Sequence, residues 1–159
     1  MVIVFAGPPC AGKSTIAAQV AHSLGLPHVA MDATRARLLP DAAHTRADRA
    51  VAYRAMLFAA ELLHNARAGV ILDAPYGHAE DRDAVRQLHP LWIECRVSPE
   101  VAVRRFRQRG PDPIRLDLTE DLVRAMVSAY QYTGAGLTLD TGTLSVDECV
   151  RAALLYVAP

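Results

Sequence analysis

Residues Val2–Thr15 read VIVFAGPPCAGKST, and the pattern G-x-x-x-x-G-K-S from Gly7 to Ser14 constrains the fold more than any other stretch. A short apolar run leads into it, and a helix-forming run, Ile16-Ala17-Ala18-Gln19-Val20-Ala21, leads out. That context is what a phosphate-binding P-loop requires. Gly7 and Gly12 permit backbone angles and close approach that a side chain would obstruct. Between them lie Pro8, Pro9, Cys10 and Ala11, in a turn whose backbone N–H groups form an anion cradle. A helix starting near Lys13 aims its positive end at the phosphates. The Lys13 ammonium can reach the β- and γ-phosphates, and the Ser14 hydroxyl can ligate Mg²⁺. With Thr15 in the same first turn, Gly7 through Thr15 are the candidate nucleotide-binding residues. Lys13 is the only lysine of the chain, the other sixteen basic residues being arginine. It stands where a compact ammonium fits and a planar guanidinium fits poorly.

At 159 residues the chain suits a single domain, long enough to bury roughly two-thirds of its unfolded surface. Formal net charge is zero, so no global basic field points to nucleic acid. Cys10, Cys95 and Cys149 are far apart and form no C-x-x-C, which fits a reducing cytoplasm without disulfides or zinc. No basic-then-apolar leader precedes the P-loop, and no apolar run approaches the roughly 18–20 residues that span a bilayer. The histidines show no metal-ligand spacing, so no structural metal is expected.

Taken in order, the chain alternates strand and helix signals. Val2–Ala6, His28–Met31, Val70–Leu72, Leu91–Val97 and Leu137–Asp140 read as five strands. Helices are expected over Lys13–Leu24, Ala33–Leu39, Thr45–Ala68, Glu80–Leu88, Ser98–Arg109, Thr119–Tyr132 and Val146–Val157. In the long third helix Ala50, Tyr53, Leu57, Ala60 and Leu63 or His64 recur at helical spacing and mark the expected buried face. The alternation predicts an α/β fold with a parallel sheet. Such sheets bind ligands beyond the carboxyl ends of their strands. Asp32, Asp73 and Asp140 stand at those ends beside the P-loop.

Absent motifs narrow the reaction. The only asparagine, Asn65, is followed by alanine, so the N-K-x-D motif by which GTPases read their base is missing. The third strand ends Leu72-Asp73-Ala74-Pro75, without the second acid expected of a ring-forming ATPase motor. A kinase needs a group that orients or deprotonates the acceptor hydroxyl, cations around the transferred phosphoryl group, and an anchor for the acceptor. Asp32 is the candidate general base and Arg35, three residues on, the candidate anchor. Arg105 and Arg109 share one helix face and run into Gly110-Pro111-Asp112-Pro113, a hinge for a lid over about residues 105–118. Lys13, Asp32, Arg105 and Arg109 form the candidate catalytic set, with Arg105 and Arg109 also touching nucleotide. Asp73 is expected to hold Mg²⁺ through water or to contact the acceptor, and Arg82 to reach the acceptor side. The acceptor region is expected over about residues 33–68, with Arg46, Arg49, Tyr53, His44 and His78 as further contacts, and the Asp140–Thr143 loop is positioned to reach adenine.

These residues together resemble the small P-loop kinases. The P-loop, Asp32-x-x-Arg35, the long helix before Gly69-Val70-Ile71-Leu72-Asp73-Ala74, Arg82, and Arg105-Phe-Arg-Gln-Arg109 are similar to the AAA-type ATP-binding group of polynucleotide kinase, zeta toxin and chloramphenicol phosphotransferase. The resemblance implies a three-layer P-loop fold with strand order 2-3-1-4-5, ATP and Mg²⁺ as cofactors, and roles for Lys13, Ser14, Asp32, Arg35 and the lid arginines. The spacing of Arg105 and Arg109 matches the start of the adenylate kinase lid, but Ala74-Pro75-Tyr76 stands where those kinases have a glycine-led loop. The expected activity is phosphorylation of a hydroxyl on a small molecule, such as a nucleoside, a sugar derivative or an antibiotic. A polynucleotide 5′-hydroxyl kinase and a non-catalytic ATP-binding regulator are the alternatives. No membrane partner is expected, and the sequence does not specify an oligomer.

Overall fold

A computed structural model describes residues 1–41, 44–110, 112 and 114–158. Five parallel strands form one sheet in the order β2-β3-β1-β4-β5. They are β1 (Val2–Ala6), β2 (His28–Ala30), β3 (Val70–Asp73), β4 (Leu91–Arg96) and β5 (Leu137–Asp140). β1 lies at the centre, with Val4 opposite Leu72 on one side and Trp92 on the other. All five of its residues are buried, as a strand covered on both faces requires.

Alternation along the strands divides the core in two. Ile3 and Phe5 face a cluster built by α1 (Lys13–Leu24), α5 (Pro99–Arg109), α6 (Glu120–Ala129) and α7 (Val146–Val157). Val2, Val4 and Ala6 face the opposite cluster, built by α2 (Met31–Leu38), α3 (Arg46–Asn65) and α4 (Ala79–Arg86). The helix ends follow local chemistry. Thr45 with Asp48, and Ser145 with Glu148, form capping boxes that start α3 and α7. Ser98 caps α5 with Pro99 at its first position. Gly25, at φ 64°, lets Leu26 donate back to the Ala21 carbonyl and so ends α1.

Several boundaries differ from expectation, among them α4, which runs over Ala79–Arg86 and ends two residues early, and β4, which ends at Arg96. β2 stops at Ala30, and Met31 and Asp32 already belong to the first turn of α2. The Ala30 cap position has no side-chain hydrogen bond, so nothing in the sequence marks that start. α3 ends at Asn65 and α6 at Ala129, each short of the predicted end. The fully buried face of α3 is Ala52, Met56 and Ala60, with Tyr53, Leu57 and Leu63 beside it. Ala50 falls off that face because the helix is alanine-rich on more than one side.

Candidate active site

The P-loop is shaped by what stands behind it. Gly7 has φ 145°, and a Cβ there would lie 2.5 Å from the Cys95 carbonyl oxygen, so only glycine fits. Cys10 (φ 59°) and Gly12 (φ 82°) are left-handed, and Gly12 turns the chain into α1. The loop's carbonyls are engaged by donors. Lys13 Nζ donates to the Pro8 oxygen at 2.9 Å, the Thr141 hydroxyl to the Ala11 oxygen at 2.9 Å, and Arg105 to the Cys10 oxygen at 3.2 Å. Carbonyl lone pairs are thereby drawn away from an incoming anion, while the first N–H groups of α1 have no partner within the helix. The Gly7 N–H donates to the Pro75 oxygen at 3.2 Å, and the Tyr130 hydroxyl to the same oxygen at 2.6 Å.

The loop opens on a cleft of about 240 Å³. Pro9, Cys10, Gly12, Lys13, Ser14 and Thr15 line the donor side, while Gly7, Pro8 and Ala11 lie buried beneath. Met31 and Asp32 from α2, Arg49 from α3, and Asp73-Ala74-Pro75 after β3 line the facing wall. Arg105 and Arg109 of α5, with Arg115 beyond it, form the third wall. The strand ends thus bring Lys13, Ser14, Asp32, Asp73, Arg105 and Arg109 to one cavity. The donor set suits a triphosphate and Mg²⁺: a left-handed glycine cradle, an ammonium, an exposed hydroxyl at Ser14, and the Asp73 carboxylate across the cleft.

Other predicted residues lie elsewhere. Arg35 is 3% exposed, does not line the cleft, and donates from NH2 to the Ile114 carbonyl at 2.6 Å. It braces α2 against the segment after α5. Arg82 also stands outside the cleft and donates to the Gln131 carbonyl at 2.8 Å. Arg46 pairs with Asp81 at 2.8 Å, and the Tyr53 hydroxyl accepts from the Tyr76 N–H at 3.0 Å. His44 Nδ1 lies 3.3 Å from Asp117, and His78 precedes α4 at its cap position. Arg49 lines the cleft, donates to the His44 carbonyl at 3.1 Å, and has no carboxylate partner among the described residues. In the expected hinge, Pro111 and Pro113 fall outside the described residues.

Arg105 and Arg109 differ from each other. The Arg105 guanidinium is occupied by backbone: besides the Cys10 oxygen it donates to the Thr141 hydroxyl at 3.0 Å and to the Thr141 carbonyl. Arg109 is exposed at the rim, paired with Asp112. Asp73 is buried, with one carboxylate oxygen 3.5 Å from His28 Nε2. Burial pushes the Cys10 thiol up, against the opposing pull of Arg109 and Lys13.

Sequence reasoning missed three residues that shape this region. Arg115 lines the cleft and bonds both Asp32 and Asp117; no periodicity singles it out in a loop. Thr141 is 4% exposed, and its hydroxyl joins the P-loop, the end of β4 and Arg105. The Asp140–Thr143 loop, the expected adenine contact, supports the P-loop through Thr141. Glu94 is 1% exposed, and its carboxylate accepts from the Thr133 N–H and hydroxyl and from the Gly134 N–H. An acid inside the apolar run Leu91-Trp92-Ile93-Glu94-Cys95 was the available signal.

Comparison with known proteins agrees with this architecture. A family model described as an AAA domain matches residues 2–133. An adenylate kinase from Rhodopirellula baltica is 28% identical over 97% of this chain and 93% of that protein. The solved sugar kinase from Janibacter sp. superposes with a TM-score of 0.79 at 20% identity, covering 98% of this chain and 93% of that one. The Mycobacterium tuberculosis APS kinase in complex with AMPPNP and APS gives 0.74 at 23% identity, covering 98% and 96%. At these identities the two solved structures establish the fold.

Proposed function

The chain belongs to the AAA-domain family of P-loop kinases, and from that premise we propose that it transfers the γ-phosphoryl group of ATP to a hydroxyl of a small molecule. Nucleosides, sugar derivatives and antibiotics are the acceptor classes. One observation carries the reading: Asp32 and the Lys13–Ser14 donor end line the same cleft, with arginines on a third wall. Lys13 holds the donor phosphates and Asp32 takes the proton of the acceptor hydroxyl. Ser14 and Asp73 would hold Mg²⁺, which when bound would supply positive charge beside the donor phosphates. Among the described residues of the expected 105–118 lid, Arg109 and Arg115 line the cleft, and Arg49 lines the wall that would face the acceptor.

The buried position of Arg35 weighs against the polynucleotide alternative, in which that arginine would grip a neighbouring phosphate. Relatives named for adenylate and sugar substrates support a small acceptor. Among the described residues no helix is long and apolar enough to cross a membrane.

The test is a transfer screen with γ-labelled ATP against nucleosides, sugars and sugar acids, aminoglycosides and a 5′-hydroxyl oligonucleotide. Labelling of a small hydroxyl compound supports the reading. Labelling of the oligonucleotide alone, or of nothing despite tight ATP binding, refutes it.

A further inference from the structure

Two buried polar atoms behind the cleft have only each other to pair with. His28 Nε2 and Asp73 Oδ2 are both shielded from solvent, and neither makes a hydrogen bond among the described residues. They lie 3.5 Å apart, longer than a well-formed hydrogen bond. Buried polar atoms without a partner are rare and costly. A neutral imidazole with its proton on Nε2 is a donor and a carboxylate oxygen an acceptor, so the two atoms are complementary.

The sheet sets them together. β2 is an edge strand, and its register on β3 puts His28 beside Ile71 and Ala30 beside Asp73. Side chains alternate along a strand, so His28, Ile71 and Asp73 share one face. Diagonal neighbours on a sheet face are within reach of a long side chain, and the imidazole spans that diagonal. The Pro27 carbonyl accepts from the Ile71 N–H at 2.9 Å, which fixes the register at the residue before His28. Ile71 packs in one cluster with Ile16 and Ala17 of α1, so this face lies against the helix that begins with Lys13 and Ser14. Asp73 also lines the cleft. Its Oδ2 is shut in beside His28, which leaves Oδ1 as the oxygen that meets the cleft.

A carboxylate free to turn about its last bond can present either oxygen. A donor fixed behind one of them removes that choice, and outer partners of this kind orient metal-holding groups. We propose that His28 is a positioning residue for Asp73: donating from Nε2 to Oδ2, it keeps Oδ1 turned into the cleft. The proposal rests on the kinase reading above, in which Asp73 would hold Mg²⁺. His28 does not line the cleft, so its effect passes through the Asp73 carboxylate.

The effect is therefore expected on metal rather than on nucleotide alone. AMPPNP affinity is measured by calorimetry in EDTA and across a series of Mg²⁺ concentrations for the parent protein, His28→Ala, His28→Gln and His28→Asn. The Mg²⁺ concentration that half-restores tight binding is expected to rise about tenfold in His28→Ala, the lower end of what loss of an outer partner costs a metal site. Binding in EDTA is expected to be the same in all four proteins. Glutamine carries its amide nitrogen where the imidazole holds Nε2, whereas asparagine matches Nδ1. His28→Gln is therefore expected to stay close to the parent, and His28→Asn to follow the alanine variant. In an Asp73→Asn background, His28→Ala has no further effect on the Mg²⁺ requirement.

Should His28→Ala fail to fold, the glutamine and asparagine variants, both polar, carry the test between them. An unshifted Mg²⁺ requirement in His28→Ala, rescue by asparagine as good as by glutamine, an equal loss in EDTA, or a shift that persists without the Asp73 carboxylate overturns the positioning role. A merely structural histidine would give one of those results. A parent protein whose AMPPNP affinity is indifferent to Mg²⁺ overturns it as well. Should the transfer screen find no acceptor while the His28-dependent Mg²⁺ shift is present, phosphoryl transfer fails and the positioning of Asp73 stands. Transfer without that shift fails the positioning alone.

Discussion

Arg105 offers the sharpest test of how this site is built, because its helix position suggests a finger on the phosphates and its contacts make it a strut. Its guanidinium donates to the Cys10 carbonyl at 3.2 Å, the Thr141 hydroxyl at 3.0 Å and the Thr141 carbonyl. Hydrogen bonds from a charged donor contribute about 1.5–3 kcal/mol each. Three on one half-buried side chain overlap rather than add, so Arg105→Ala is expected to lose about 3 kcal/mol of stability. For a chain of this length that lowers the melting temperature by about 6–12 °C. Arg105→Lys keeps the charge without the fork and is expected to fall between the two. Thermal melts by circular dichroism without nucleotide read this directly. They are followed by AMPPNP titration at a temperature where both proteins are folded, where affinity also falls because the Cys10 carbonyl has lost its donor. An Arg105→Ala variant melting within about 2 °C of the parent, below the shift expected for even one kcal/mol, would refute the strut. A large loss of transfer in such a variant would instead assign the side chain to the phosphoryl group.

Further outcomes follow from other residues. Gly7→Ala places a Cβ 2.5 Å from the Cys95 oxygen at φ 145°; a loss of about 2 kcal/mol together with nucleotide affinity is expected in urea unfolding and AMPPNP titration. Asp32→Ala is expected to retain AMPPNP binding and to lose transfer by about 10²–10⁴-fold, with undiminished turnover excluding it as the base. Burial alone would raise the Asp117 carboxyl, but the hydrogen bond and charge of Arg115 prevail and hold it below its ordinary value. Its stabilising effect is present above the unfolded value of 3.8 and fades as pH falls through the lower folded value. An Asp117→Asn variant is therefore expected to show a shallower loss of stability below about pH 4 in acid-unfolding curves. Burial pushes the Cys95 thiol up to about 12 and raises Cys10 and Cys149 as well. The native protein at pH 8 is expected to react slowly with a thiol reagent, and all three cysteines quickly after unfolding.

The sheet was legible because each central strand is a continuous apolar run bounded by a turn, and the P-loop fixed which strand stands beside it. Residues at strand ends were legible for the same reason: Asp73 closes β3 and faces the cleft as expected. What escaped depends on partners distant in the chain. Asp32 and Arg35 lie three apart on one short helix, yet one faces the cleft and the other is bonded to Ile114, 79 residues away. Local spacing assigns a helix face; it does not say which loop will cover that face. Arg105 lines the cleft, but its partner Thr141 lies 36 residues on. Arg115 comes from a stretch with no hydrophobic period, so the pattern that locates a helix had nothing to act on.

The central place of β1 bears on how the chain is made. Its partners are β3 and β4, whose paired residues begin at Val70 and Leu91. As synthesis proceeds from the N-terminus, the apolar run Val2–Ala6 emerges long before either partner exists. The P-loop waits longer still, because its backing groups come from Pro75, Cys95, Arg105 and Thr141. A nascent chain is thus left with an unpaired, aggregation-prone strand and no formed nucleotide cradle. On the kinase reading proposed above, a nucleotide would stabilise this fold only after Thr141 has been made, so the interval before β5 appears is the one in which a chaperone has most to protect.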